Sequence, residues 1–168
     1  IDSVMIGNMM GLDQLAFYSI PVFLISAMSV PEKSLSQISL PVISSLFAEK
    51  KFREVDVIYK KTAINQLLIG GGIFVFIWIN IDFLMDLLGE KFGNTALVFL
   101  LLGAGKIIDL ATSVNGIILT ISHKYRFVLV LQLILLFLAI TLNIWFIPLW
   151  GMEGAALATM VSMLIYNV

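Results

Sequence analysis

The stretch NTALVFLLLGAGKIIDLATSVNGIILTIS, residues 94–122, decides the fold class of this chain. It is long enough to cross a bilayer as a helix, for which about 20 residues suffice. Lys106 and Asp109 lie near its middle, where an ionisable side chain is costly in lipid unless it faces a partner or a water-filled cavity. Their i, i+3 spacing puts both on one helical face, within reach of each other. The stretch therefore predicts a transmembrane helix with one polar, inward-facing side.

The composition of the whole chain indicates an integral membrane protein that contacts the lipid bilayer. Of its 168 residues, 60% are hydrophobic and 12% charged, whereas about 25% of a soluble domain is charged. The mean hydropathy is +1.05. The net charge of −1 gives no reason to expect a nucleic-acid partner, and the absence of cysteine excludes disulfides and Cys-based metal sites. Because the chain starts with Ile1 and stops inside an apolar run at Val168, we expect an internal piece of a longer protein.

Hydrophobic runs separated by polar segments predict one transmembrane domain over residues 1–168. The prolines at 21, 31 and 41 would leave halves of the first long run too short to cross separately, so we expect one long helix kinked at its prolines. The sequence lacks the alternation of period two that would suggest membrane strands. The predicted fold class is an all-α, polytopic transmembrane helical bundle. Its predicted spans lie near 1–10 (partial), 15–48, 62–81, 94–122, 127–147 and 155–168 (partial).

The charges of the predicted loops give an orientation. Lys and Arg concentrate in the loops at 49–61 and 123–126, and not in those at 12–14, 82–93 and 148–153. Short cytoplasmic loops collect Lys and Arg, and basic and non-basic loops alternate along this chain. We therefore expect loops 49–61 and 123–126 to be cytoplasmic and the others to lie outside.

Polar residues within the apolar runs are the candidate site residues, and each has two interpretations. Lys106 and Asp109 either meet a substrate or ion, or form a buried salt bridge that fixes helix packing. Glu32 and Lys33 either line a cavity or lie at the membrane interface. Amides inside spans either bind substrate or join helices by hydrogen bonds. The full set of candidates is Asp2, Lys106, Asp109, Asn115, Gln132 and Asn143.

Enzymatic and metal chemistry have no support in the sequence. The chain has a single histidine, His123, and no cysteine, so neither a Ser-His-Asp set nor a metal cluster is indicated. The glycines at 70–72 are not followed by the Lys-Ser/Thr pair of a phosphate-binding loop, and they indicate tight helix packing or a hinge instead. We expect neither catalytic residues nor a bound metal or cofactor.

Short motifs along the chain carry a resemblance to a known family. They are IDSVMIG (1–7), QISLPVIS (37–44), YKKTAINQ (59–66), GKIIDLATSVNG (105–116) and IPLWGMEGAALAT (147–159). In this order they resemble the second half of bacterial oligosaccharide flippases, the Wzx-type polysaccharide-biosynthesis branch of the multidrug/oligosaccharidyl-lipid/polysaccharide flippase superfamily. The resemblance covers essentially all residues. It implies a transporter of 12–14 helices in two bundles around a central cavity, of which this chain holds the end of the seventh helix through the start of the twelfth.

The resemblance also implies a function in the bacterial cytoplasmic (inner) membrane. Such proteins move an undecaprenyl-diphosphate-linked oligosaccharide to the outer leaflet by alternating access, with other polysaccharide assembly proteins as further partners. On this basis Lys106 is the candidate cation for the diphosphate. Asp109 and Asp2 are candidates for pairing with Lys106 or for carrying a coupling proton or sodium ion. The amides of Asn115, Gln132 and Asn143 are candidates for contacts with sugar hydroxyls.

Two alternative functions stay open at this point. A cation-coupled multidrug exporter of the same superfamily would share the fold but would need a cavity of net negative charge, whereas an anionic lipid substrate needs a positive one. A membrane subunit without transport activity would have no need of Lys106 and Asp109 in the middle of a span. Charge alone does not separate the flippase from the multidrug exporter. The sequence motifs favour the flippase.

Overall fold

The computed structural model describes residues 1–89, 95–112, 118–119, 121 and 125–167. The helices with defined bounds are α1 (Asp2–Met10), α2 (Leu12–Ala48), α3 (Phe52–Ile79), α4 (Ile81–Leu88), α5 (Ala96–Thr112) and α6 (Tyr125–Asn167). No strand occurs among the described residues. Three helical segments, Leu12–Ala48, Phe52–Ile79 and Arg126–Asn167, are long and apolar enough to cross a membrane. The all-α membrane fold is therefore confirmed, and α5 is the described part of the stretch that predicted it.

Helices α2 and α5 lie at the centre of the packing. α2 contacts α1, α3 and α5, while α5 contacts α2, α3 and α6, and α1 closes against α6. One buried apolar cluster joins α1, α2, α5 and α6 through Ile6, Tyr18, Val98, Leu102, Ile147, Ala155 and Ala156. Polar side chains of α1, α2 and α5 that point inward must therefore find partners on neighbouring helices.

Glycines allow α5 to approach its neighbours closely. A Cβ placed on Gly105 would lie 3.1 Å from the Met160 Cα, so the backbones of α5 and α6 are nearly in contact. A Cβ on Gly70 would overlap the Leu110 side chain, which explains one of the three consecutive glycines of α3 by tight packing. Small residues serve this purpose in membrane proteins, where close van der Waals contact replaces the hydrophobic drive between helices.

The connections between the described helices are shorter than the loops expected at 12–14, 49–61 and 82–93. Only Glu49–Lys51 joins α2 to α3, because the charged segment up to residue 61 is helical. Its straight-chain residues favour helix, and Lys60 pairs with Asp56 one turn earlier at 2.7 Å. Gly11 alone, at φ 94°, separates α1 from α2. α4 occupies most of the described part of the predicted loop 82–93.

The short α2–α3 connection is itself held by an ion pair. The Lys51 ammonium lies 2.6 Å from a Glu49 carboxylate oxygen, and both side chains are half-exposed. The hydrogen bond from Lys51 lowers the pKa of the Glu49 carboxyl below its ordinary value. Because the pair is open to solvent, it offers a matched control for charge changes made elsewhere in the chain.

The predicted turn at 148–153 is a sharp break inside α6 rather than a loop. Gly151 adopts φ 59°, ψ −133°, a conformation that favours glycine. A Cβ on Gly154 would overlap the Phe146 carbonyl oxygen, although eight residues of straight helix would separate these positions by about 12 Å. The chain therefore folds back at Gly151 into a first arm, residues 125–150, and a second arm, residues 152–167.

Candidate functional site

An ion triad joins α2 to α5. The Lys106 ammonium nitrogen lies 2.6 Å from Glu32 Oε2 and 2.7 Å from Asp109 Oδ2. The three side chains are 12%, 17% and 28% exposed for Lys106, Glu32 and Asp109 respectively. The contact predicted between Lys106 and Asp109 is thus present, and Glu32, considered from the sequence as a cavity-lining or interfacial residue, is a second partner of Lys106.

The region around Glu32 is also tied to α3. Gln66 donates from Nε2 to Ser36 Oγ at 3.2 Å and to the Glu32 carbonyl oxygen at 3.4 Å. One turn further along α2, Ser39 and Thr62 share a hydrogen bond of 3.0 Å. These contacts hold α2 just after Pro31, where the proline cannot donate a backbone hydrogen bond within the helix. Glu32 is therefore fixed through its carboxylate to α5 and through its carbonyl to α3.

The triad has unused hydrogen-bonding capacity. An ammonium group carries three N–H donors, and Lys106 directs two of them at the carboxylates. Within the described part of the chain, the other oxygens, Glu32 Oε1 and Asp109 Oδ1, accept no hydrogen bond. With two carboxylates around one ammonium, the triad has a net charge of −1.

Asp2 belongs to a separate polar cluster. Its Oδ2 accepts hydrogen bonds of 2.9 Å from the Tyr18 hydroxyl and 2.9 Å from Thr159 Oγ1. Tyr18 is completely buried. Asp2 and Lys106 are both described and form no ion pair, so of the two acids considered as partners of Lys106 the structure pairs it with Asp109 and not with Asp2. The reason is packing: Asp2 lies on α1, which contacts α2 and α6, and it finds its donors there.

A cavity of about 260 Å³ lies between α1 and the two arms of α6. Asp2, Gln132, Thr159 and Ser162 supply its polar lining, and Leu135, Leu136, Ala139 and Met163 most of its apolar lining. Its accessible surface is mostly apolar, and the polar groups form a small part of it. It brings together Asp2 and Gln132, two of the candidate residues predicted from the sequence.

The other two amides have different surroundings. Asn143 is completely buried, and its Nδ2 donates to the Ala139 carbonyl of its own helix at 2.8 Å. Its Oδ1 has no hydrogen-bond partner among the described residues, so the interhelical hydrogen bond considered for Asn143 is not formed there. Asn143 follows the cavity-lining Ala139 by one turn on the same face of α6. Asn115 lies outside the described residues.

Sequence reasoning missed the contact of Glu32 with Lys106 and the hydrogen bonds of Tyr18 and Thr159 to Asp2. Glu32 and Lys106 are 74 positions apart in sequence, and nothing local to either residue reveals the other. One signal was present: a lysine in the middle of an apolar span needs charge compensation, and Glu32 is an acid within another long apolar run. Tyr18 and Thr159 carry no comparable signal, because their hydroxyls fit core positions equally well.

Apolar helices of membrane-crossing length, packed around partly buried ionisable side chains, define a multi-pass membrane protein with a polar interior. The chain belongs to the MatE family, whose family model matches residues 1–92. Members of this family are transporters rather than enzymes. Membership confirms the superfamily to which the sequence motifs pointed.

The comparison with known proteins also finds a similarity beyond the matched 92 residues. The chain is 23% identical over 163 residues to the capsular polysaccharide biosynthesis protein CapF of Staphylococcus aureus. The alignment covers 96% of this chain and 41% of that protein, so the chain spans less than half the length of this relative. No solved structure matches the chain.

Proposed function

We propose that this chain is part of a flippase that moves undecaprenyl-diphosphate-linked oligosaccharide from the cytoplasmic to the outer leaflet of the bacterial inner membrane. The observation that carries the proposal is MatE membership together with similarity to a capsular polysaccharide biosynthesis protein along nearly the whole chain. In this proposal the basic segments 49–61 and 123–126 face the cytoplasm. Other proteins of polysaccharide assembly are the proposed partners.

The described interior supports transport of a polar cargo by alternating access. The oligosaccharide and diphosphate need polar contacts, while the lipid tail can stay in the bilayer. The ion triad and the cavity beside Asp2 provide polar groups inside the helical bundle. Ionisable residues inside transmembrane bundles mark substrate or ion pathways. In this proposal, Lys106, Asp109 and Gln132 contact cargo, whereas Asn143 is completely buried and does not.

A second candidate function, export of amphipathic cations, has one observation in its favour. The candidate ionisable groups of the described interior are Asp2, Glu32 and Asp109 with Lys106, three carboxylates against one ammonium. Their net charge of −2 suits a cationic drug better than an anionic lipid headgroup. The net charge of the whole cavity also depends on the other half of the transporter. The similarity to a polysaccharide biosynthesis protein favours the flippase.

Complementation separates the two functions. We expect the full-length protein to restore surface polysaccharide in a strain that lacks its oligosaccharide flippase, and to remove the lipid-linked oligosaccharide that accumulates on the cytoplasmic side. Surface polysaccharide and susceptibility to cationic drugs are measured in the same cells. Increased drug resistance without restored polysaccharide would support the exporter and contradict the flippase.

The cluster around Asp2 supports a proposed site for the coupling ion, a proton or sodium. A carboxylate and hydroxyl oxygens are hard ligands that suit a small hard cation or accept a proton. The Asp2 carboxylate lines the cavity beside the Thr159 hydroxyl, so water and ions can reach it there. No resident metal or organic cofactor is part of the proposal.

Asp2→Asn tests the coupling role. We expect it to lower export at least about tenfold, because an amide neither takes up a proton at physiological pH nor offers a negative charge to a cation. The remaining export should no longer respond to ionophores that collapse the proton or sodium gradient. Asp13→Asn, the same change at an exposed position at the start of α2, is the control and should export normally. Ionophore-sensitive export by Asp2→Asn would rule out Asp2 as the coupling site.

A further inference from the structure

We infer that Glu32 and Asp109 make the ion triad a contact site for uncharged sugar hydroxyls and keep the diphosphate away from Lys106. Glu32 is then a residue that determines specificity for the charge of the cargo. The inference rests on the proposed flippase function and assigns the parts of the cargo to different groups. The triad contacts the sugars, and other groups bind the phosphates.

Lys106 is already paired with two carboxylates. A lysine binds phosphate as a point charge, and here that charge is already engaged by two carboxylate oxygens at 2.6 and 2.7 Å. A phosphate that approached Lys106 would meet a group of net charge −1. Because all three side chains are largely shielded from water, the repulsion is screened less than it would be on the surface.

The triad can form further hydrogen bonds. The Lys106 ammonium has one donor left, and Glu32 Oε1 and Asp109 Oδ1 each accept no hydrogen bond within the described chain. A sugar hydroxyl is both a donor and an acceptor. Two neighbouring hydroxyls can thus donate to the two free carboxylate oxygens while one of them accepts from Lys106. A phosphate has acceptor oxygens to offer and would leave both carboxylates opposed by negative charge.

Among the described residues, no further charged side chain pairs with the triad. On α2, Lys33 follows Glu32 but is exposed and forms no ion pair with the triad, and Gln66 of α3, which donates to the Glu32 carbonyl, is neutral. A bridge that only fixed packing would be expected to use both oxygens of each carboxylate, because unsatisfied acceptors in a closed interior are costly. Here Glu32 Oε1 and Asp109 Oδ1 remain partly accessible, because neither is one of the fully buried polar atoms that lack a hydrogen-bond partner.

Export of two cargoes tests the inference. The full-length protein is expressed in flippase-deficient cells that make either of two oligosaccharides on the same lipid diphosphate, identical except that a neutral hexose in one is the corresponding uronic acid in the other. The readout is the ratio of acidic to neutral cargo exported, normalised to the amount of transporter. Glu32→Gln and Asp109→Asn each remove one negative charge from the triad with little change of shape, and they do so from different helices.

We expect both variants to raise the acidic-to-neutral ratio roughly five- to tenfold, the effect of removing repulsion of one charge at short range. Glu49→Gln, which makes the same change in the exposed pair with Lys51, should leave the ratio unchanged. An unchanged ratio in either triad variant overturns the inference. If the exported amounts of both cargoes are then unchanged or fall together, the triad is a structural bridge, and if both amounts rise equally, it contacts the diphosphate. Export of neither cargo by the wild type would instead refute the flippase function.

Discussion

Lys106→Ala is expected to give the largest loss of folded, active transporter of any single change in the ion triad. The substitution leaves Glu32 and Asp109 as neighbouring carboxylates without their shared cation. Removing one partner of a buried ion pair costs about 3–5 kcal/mol, because the remaining charge is left uncompensated. The amount of monodisperse full-length protein in detergent, and its thermal transition, should both fall sharply, and export should fall with them.

The matched experiment separates stability from function. Combining Lys106→Met with Glu32→Gln and Asp109→Asn removes every charge of the triad while nearly keeping its volume, and we expect this to restore the folded amount but not export. Lys60→Ala breaks only the exposed pair with Asp56 and should change stability by less than about 1 kcal/mol. Wild-type export by Lys106→Ala would show that the triad is needed for neither folding nor transport.

Gly154→Ala is expected to destabilise the protein almost as severely, by about 3 kcal/mol. The added methyl group would overlap the Phe146 carbonyl, and a backbone oxygen cannot swing aside as a flexible side chain can. Overpacking usually costs about 1–3 kcal/mol, and the fold-back at Gly151 leaves little room for adjustment. The measurement is the thermal transition of the purified full-length protein.

Gly71→Ala is the control for that substitution. It makes the same change inside α3, where the space around the new methyl group is open, and alanine there should be neutral or stabilising by up to about 1 kcal/mol. Equal stability of Gly154→Ala and Gly71→Ala would mean that the two arms of α6 do not approach each other as described.

Those parts of the fold that depend on residues close together in the sequence could be predicted from the sequence. Hydropathy was sufficient to predict an all-α membrane protein, and the three prolines of α2 were correctly accommodated in one helix. The i, i+3 spacing of Lys106 and Asp109 predicted their contact, since helical geometry alone fixes it. The consecutive glycines of α3 indicated close packing or a hinge, and Gly70 is closely packed against Leu110.

The features that were missed depend on contacts between distant segments. Glu32 reaches Lys106 only because α2 and α5 pack side by side, and Asp2 finds Tyr18 and Thr159 for the same reason. The short connections were missed because the charged segments between the spans were taken to be loops. Charged residues can form stable helices outside a bilayer. For Asn143, the sequence suggested a bond between helices, but its amide bonds within its own helix.

The fold-back of α6 at Gly151 has a consequence for how the protein enters the membrane during synthesis. From Phe127 to Asn167 the sequence contains one residue with a formal charge at neutral pH, Glu153, and it lies beside the break. Each arm is apolar, and the tip carries almost nothing that resists transfer through a bilayer. Since the arms are joined by a kink rather than a loop, they can be inserted together as one preformed helical hairpin. The break would thus allow the first arm and the described part of the second arm to enter the bilayer in a single insertion event.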